Sequence, residues 1–168
     1  MTLTHAPHVL IDEQPGHAIR RLHQIAVGIF LHESQACGIT PVQYAALQCI
    51  ANQPGVDQRT LASGIAQDTS TTAGVVERLE TRGLITRSVS AQDRRVRLLE
   101  ITDAGIGLLQ TLVPHMLQAQ ERLLAPLSAD ERHTFMTLLQ RLVTANNDHS
   151  RAPANTLPPK TAENRANA

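Results

Sequence analysis

Residues 68–103, DTSTTAGVVERLETRGLITRSVSAQDRRVRLLEITD, decide how the rest of the chain is read. Asp68 or Thr69 stands where a helix N-cap belongs, and Thr72, Val75, Val76 and Leu79 follow at i, i+3, i+4 and i+7, the one-sided stripe of an amphipathic helix. Arg82 in the last turn and Gly83 after it form a stop. Leu84–Val89 and Val96–Ile101 are short apolar-rich runs on either side of a polar turn, which predicts a two-stranded hairpin. Thr102 then caps a new helix.

Working outward, Pro15 opens a helical pattern that reaches about Cys37, with Ile19, Leu22, Ala26, Ile29 and Phe30 at helical spacing and Gly38 as its end. Thr40-Pro41 starts a second helix to about Asn52. Pro54-Gly55 turns the chain, and Asp57 caps a third helix of about nine residues carrying Leu61, Ala62 and Ile65. After the hairpin a long helix runs to about Leu124, where Pro114 is expected to interrupt and kink it. Ser128 opens a last helix with Phe135, Leu138, Leu139, Leu142 and Val143. Residues 1–14 read as a flexible arm, and residues 148–168, poor in large apolar side chains, as a disordered tail.

The fold class is therefore mainly α with a small β-hairpin, a helix-turn-helix with a wing flanked by long helices. Only 2% of residues are aromatic against 42% hydrophobic, so the core must be Leu, Val, Ile and Ala, which favours helix-on-helix packing. Formal net charge is zero, so only the placement of charge is informative. Arg supplies all the basic residues but Lys160, and its planar fork suits phosphates and guanine edges.

On the helix from Thr69 to Arg82, Ser70, Thr71, Gly74, Glu77, Arg78 and Thr81 lie opposite the apolar stripe. Small hydroxyls and a glycine at its start allow close approach to a groove, with an arginine one or two turns later. A DNA-reading helix has this layout, its first residues meeting base edges and later ones phosphate. Ser70, Thr71, Thr72 and Arg78 are expected to face the major groove, and Thr69 and Gly74 are counted with them among the DNA-binding residues. The hairpin adds Arg87, Arg94, Arg95 and Arg97 against the single acid Asp93. Arg94 and Arg95 fall at its tip, placed for a minor groove or phosphates, with Asp93 holding the arginines in position.

The run from about Ile39 to Gly105 resembles the winged helix of the MarR family of bacterial transcription factors. The segments that carry the likeness are GITPVQYAALQCI (38–50), LASGIAQDTSTTAGVVERLETRGLITR (61–87) and AQDRRVRLLEITDAG (91–105), and it extends over about residues 15–145. It implies a homodimer whose terminal helices, 15–37 and 103–147, interlock and hold two winged helices (39–102) over successive major grooves of a pseudo-palindromic double-stranded operator. Those helices also carry more apolar residues than one small domain covers, which by itself points to association. Proteins resembling this family respond to small aromatic carboxylates, and the first helix, PGHAIRRLHQ (15–24), looks similar to members that control catabolism of nicotinate-like or benzoate-like acids. His17, Arg20, Arg21 and His23 are the effector-binding candidates, cations and imidazoles suited to an aromatic acid anion.

The expected function is a cytoplasmic repressor released by such an acid. The alternatives are a ligand-independent or a redox-responsive DNA-binding regulator, or a winged helix used for protein contacts. Peroxide-sensing relatives place a cysteine near the start of the first helix, where this chain has His17; Cys37 and Cys49 lie elsewhere. Neither a disulfide framework nor zinc-like Cys or His spacing is present, so no metal or cofactor is expected. No glycine-rich phosphate loop or activated nucleophile motif supports an enzyme, and no apolar run reaches the length of a membrane span.

Overall fold

A computed structural model describes residues 10–154. Five of its six α-helices begin where a side chain can bond the free N–H groups of the first turn. Helix α1 spans Pro15–Glu33, with proline supplying the first turn. Thr40 and Gln43 form a reciprocal capping box for α2 (Pro41–Asn52), and Asp57 accepts from Arg59 and Thr60 to start α3 (Gln58–Gly64). Asp68 caps α4 (Thr69–Thr81), Thr102 caps α5 (Asp103–Leu124), and Ser128 with Glu131 caps α6 (Ala129–Ala145).

Helix α1 ends four residues before the expected limit. The N–H and the hydroxyl of buried Ser34 both bond the carbonyl of Phe30, and a 3-10 turn, Gln35–Cys37, leads to Gly38 at φ +58°. Helix α5 continues through Pro114. The hairpin is present as Ile85–Val89 and Arg97–Ile101, but the sheet has a third strand: β1 (Val56–Asp57) pairs antiparallel with β3 (Arg97–Ile101), which pairs with β2 (Ile85–Val89). The register sets Val56 opposite Leu99 and Ile85 opposite Ile101. Of the expected arm, residues 1–9 lie outside the described residues, and Ile11–Glu13 form a 3-10 turn before α1. Of the expected tail, residues 155–168 lie outside them, while the Asn147 side chain bonds the backbone of Ala154 in both directions.

Leu47, Ile50, Leu61, Val76, Leu79, Ile85 and Leu99 are fully buried where α2, α3, α4 and the sheet meet, and Leu112 of α5 is fully buried in the same cluster. Helices α1 and α5 pack together, and Glu33 pairs with Arg122 across them at 2.8 Å. Helix α6 buries no residue, and Leu138, Leu142 and Val143 are 53%, 56% and 62% exposed. Arg132 fixes its departure angle through the carbonyls of Leu124 and Leu127 and the carboxylate of Glu121.

Residues 82–84, leaving α4, are held from two directions. The N–H of Leu84 bonds Leu79 and that of Gly83 bonds Glu80, with Gly83 at φ +69°, a Schellman closure whose two leucines are both core residues. Arg82 reaches back 2.7 Å to the Gly38 carbonyl and 3.2 Å to that of Cys37, at the foot of α1. Thr102, at the head of α5, bonds the carbonyl of Gly83 through its hydroxyl and that of Leu84 through its N–H.

Candidate nucleic-acid interface

Helix α4 presents its first turn to solvent with its hydroxyls already oriented. One Asp68 carboxylate oxygen accepts from the Ser70 hydroxyl and the Thr71 N–H, the other from the Thr71 hydroxyl. These bonds, that from Ser70 foremost, hold the Asp68 carboxyl well below the usual carboxylate range. With each hydroxyl proton directed at Asp68, Ser70 and Thr71 turn acceptor lone pairs outward, the complement of the amino groups of adenine and cytosine in a major groove.

Thr69, Ser70, Thr71 and Arg78 are exposed as expected. Thr72 is not: its side chain is fully buried and its hydroxyl donates to the Asp68 carbonyl at 2.8 Å. Its place on the stripe with Val75, Val76 and Leu79 overrides its hydroxyl, which is satisfied inside the helix, so Thr72 cannot touch a base. Gly74 and Arg78 act as a unit, because the guanidinium lies over the glycine; a Cβ there would stand 3.5 Å from Nη2.

The wing is built by its own short-range bonds. Buried Ser90 accepts from the N–H groups of Gln92 and Asp93, the Asp93 carboxylate accepts from the Arg95 N–H at 2.9 Å, and Arg97 donates to the Arg94 carbonyl. Asp93 thus orders the tip through backbone and leaves the arginine heads alone. Among the described residues the guanidinium groups of Arg94 and Arg95 make no hydrogen bond or ion pair. Arg87, lower on the hairpin, pairs instead with Glu80 of α4 and braces the wing against the helix.

Arg59 went unnoticed in the sequence because it stands alone there. In space it lines a cleft of about 370 Å3 with Asp57, Thr69, Arg95 and Arg97, between the starts of α3 and α4 and the base of the wing. Only knowledge that α3 begins beside the hairpin reveals it.

The effector candidates divide. His17 and Arg21 both face Asp12, at 3.5 and 3.8 Å, and Arg20 bonds Gln24 at 3.1 Å. His23 lines an apolar cleft of about 180 Å3, together with Phe30, Tyr44, Met116 and Gln120. Among the described residues no three His, Cys, Asp or Glu side chains are grouped to hold a metal, and no helix is long and apolar enough to cross a membrane.

The MarR family profile matches residues 39–96, the winged helix from before α2 to the wing. The transcriptional repressor NicR of Pseudomonas putida is 32% identical over 138 residues, covering 81% of this chain and 86% of NicR. The chain belongs to the MarR family. Two solved MarR-like regulators superpose on it closely. PcaV of Streptomyces coelicolor, in complex with its natural ligand, is 35% identical with a TM-score of 0.75, covering 83% of this chain and 99% of PcaV. BpsR of Bordetella bronchiseptica, whose DNA binding is described as regulated by 6-hydroxynicotinic acid, is 30% identical with a TM-score of 0.76, covering 82% and 97%. This chain is accordingly a MarR-family transcriptional regulator with a DNA-binding winged helix.

Proposed function

We propose that this MarR-family regulator is a cytoplasmic homodimeric repressor whose operator is released by a small aromatic carboxylic acid. The observation that carries the DNA contact is the pair of unengaged arginines, Arg94 and Arg95, on a braced wing beside the hydroxyl-lined start of α4. Ser70, Thr71 and Arg78 read the major groove, and the wing tip enters the minor groove beside it. The exposed apolar face of α6 supports a second copy, since leucines this exposed on a helix that buries nothing need a partner.

The cleft under His23 is the site for the acid. Its apolar walls suit one aromatic ring, its volume being below the roughly 300 Å3 of a drug-sized pocket, and His23 supplies a polar group at the rim. The effector named for BpsR is a hydroxylated heteroaromatic acid, of this chemical class. A thiol switch is disfavoured by burial of Cys37 and by a Cys49 thiol that burial pushes up, away from the reactive thiolate.

The test is binding to a duplex from the protein's own promoter, with and without benzoate, 4-hydroxybenzoate or 6-hydroxynicotinate. Arg94→Ala with Arg95→Ala should weaken binding and flatten its salt dependence while the fold melts as before. His23→Ala should keep DNA affinity but lose the release by acid. Binding indifferent to every acid would leave a ligand-independent regulator, and unchanged binding by the wing variant would remove the wing from the interface.

A further inference from the structure

A helix in the major groove and a wing tip in the adjacent minor groove have one thing necessarily between them: the sugar-phosphate strand that divides the two grooves. The space between the start of α4 and the wing is therefore where that strand must pass. In this chain the space is a cleft of about 370 Å3 whose lining includes three arginines from three separate elements, Arg59 of α3, Arg95 of the turn and Arg97 of β3. Thr69, the first residue of α4, lines the same cleft.

The one acid in the lining, Asp57, forms no ion pair with them, and three arginines against one carboxylate leave the cleft cationic. That carboxylate is engaged by the N–H groups of Arg59 and Thr60 and by the Thr60 hydroxyl. No side-chain bond holds the Arg59 or Arg95 guanidinium among the described residues, and Arg97 makes a single bond, to the Arg94 carbonyl.

We propose that this cleft seats a backbone phosphate of the strand between the grooves, with Arg59 and Arg95 as its principal ligands, Arg97 and Thr69 beside them, and Arg94 alone entering the minor groove. The proposal rests on the DNA-binding reading above and deepens it by dividing two adjacent wing arginines between different tasks. Arg59 and Arg95 fix the register of the protein on any duplex, whereas Arg94 responds to groove width and so to sequence.

The experiment uses the full chain and a duplex recovered by selection from a random-sequence library, beside an unselected duplex of equal length. Arg59→Gln should weaken binding to both duplexes by the same factor. It should also reduce the slope of log affinity against log salt by about 1.8, two seats per dimer at about 0.9 each. Arg59→Lys should restore most of that slope, and selection repeated with Arg59→Gln should return the same sequence. Selection with Arg94→Ala should lose A·T preference at the wing position.

In the wild-type protein, a neutral methylphosphonate at one phosphate per half-site should cost affinity, and the same substitution should cost Arg59→Gln distinctly less, since only Arg95 and Arg97 remain to lose that charge. An unchanged slope in Arg59→Gln, or no such phosphate in the wild-type scan, overturns the seat while leaving DNA binding intact. A wild-type protein that selects no duplex overturns both. A thermal shift by millimolar inorganic phosphate that Arg59→Gln abolishes, with the DNA slope untouched, would assign the cleft to a free anion and overturn the proposal.

Discussion

Ala66 is the one non-glycine residue with positive φ among those described, at +52°. It closes α3 as Gly83 closes α4: the N–H of Gln67 bonds Ala62 and that of Ala66 bonds Ser63. A Cβ in the left-handed region costs about 1–2 kcal/mol, partly offset by the larger unfolded-state entropy of glycine. Ala66→Gly should therefore stabilise the protein, by up to about 1 kcal/mol, read by urea unfolding; a loss of stability would show that the turn is unstrained. Asp68 yields a pH test. Its folded carboxyl is depressed, so its contribution is complete above the unfolded value of about 4 and fades as pH falls below it. Asn also caps helices, so Asp68→Asn isolates the charge. The gap in Tm between wild type and Asp68→Asn at pH 7 should close towards pH 2.5, and a gap constant over that range would refute the assignment.

At the scale of elements, the junction of the sheet with α5 is where one atom decides. A Cβ on Gly105 would stand 2.2 Å from the Leu84 carbonyl oxygen and 2.7 Å from Cγ1 of Ile101. Gly105→Ala should cost at least the roughly 1–3 kcal/mol of an overpacked site, measurable as a lower urea midpoint, whereas Gly107, with nothing within 4 Å, should accept alanine without penalty.

The helix starts were legible in the sequence because a cap is a bond between near neighbours. Thr40, Asp57, Thr102 and Ser128 all serve as read, and Asp68 takes the place left open between it and Thr69. Strand β1 was not legible, since two residues become a strand only by lying against Leu98 and Leu99, some forty positions away. The same distance hid Arg59. Thr72 misleads for a different reason: its chemistry suggests a groove, and its position on the helix sends it to the core.

For the whole molecule, the exposed face of α6 is the surface that the proposed dimer has to cover. Met136, Leu138, Leu142 and Val143 stay exposed on it, and α1 adds Ile19, Ile25 and Leu31. Leu138→Asp with Leu142→Asp should leave the winged helix folded, because neither side chain belongs to its core. Sedimentation should then give a monomer, and operator affinity should fall by orders of magnitude because one winged helix retains only one half-site. A dimer of unchanged stability would place the interface elsewhere.

The double anchorage of residues 82–84 makes α4 a lever. Its fulcrum is the exit, tied to the foot of α1 by Arg82 and to the head of α5 by Thr102. Its working end is the Ser70–Thr71 turn, a full 13 residues away, or about 20 Å at 1.5 Å per residue. A tilt of about 10° at the fulcrum sweeps that end through about 3 Å, several times the roughly 0.5 Å within which a polar contact keeps its geometry. On the proposed reading, a slight splaying of the α1–α5 pair by an acid bound between them would be magnified at the end of α4 nearest the DNA, and bound DNA would oppose that splaying by the same free energy.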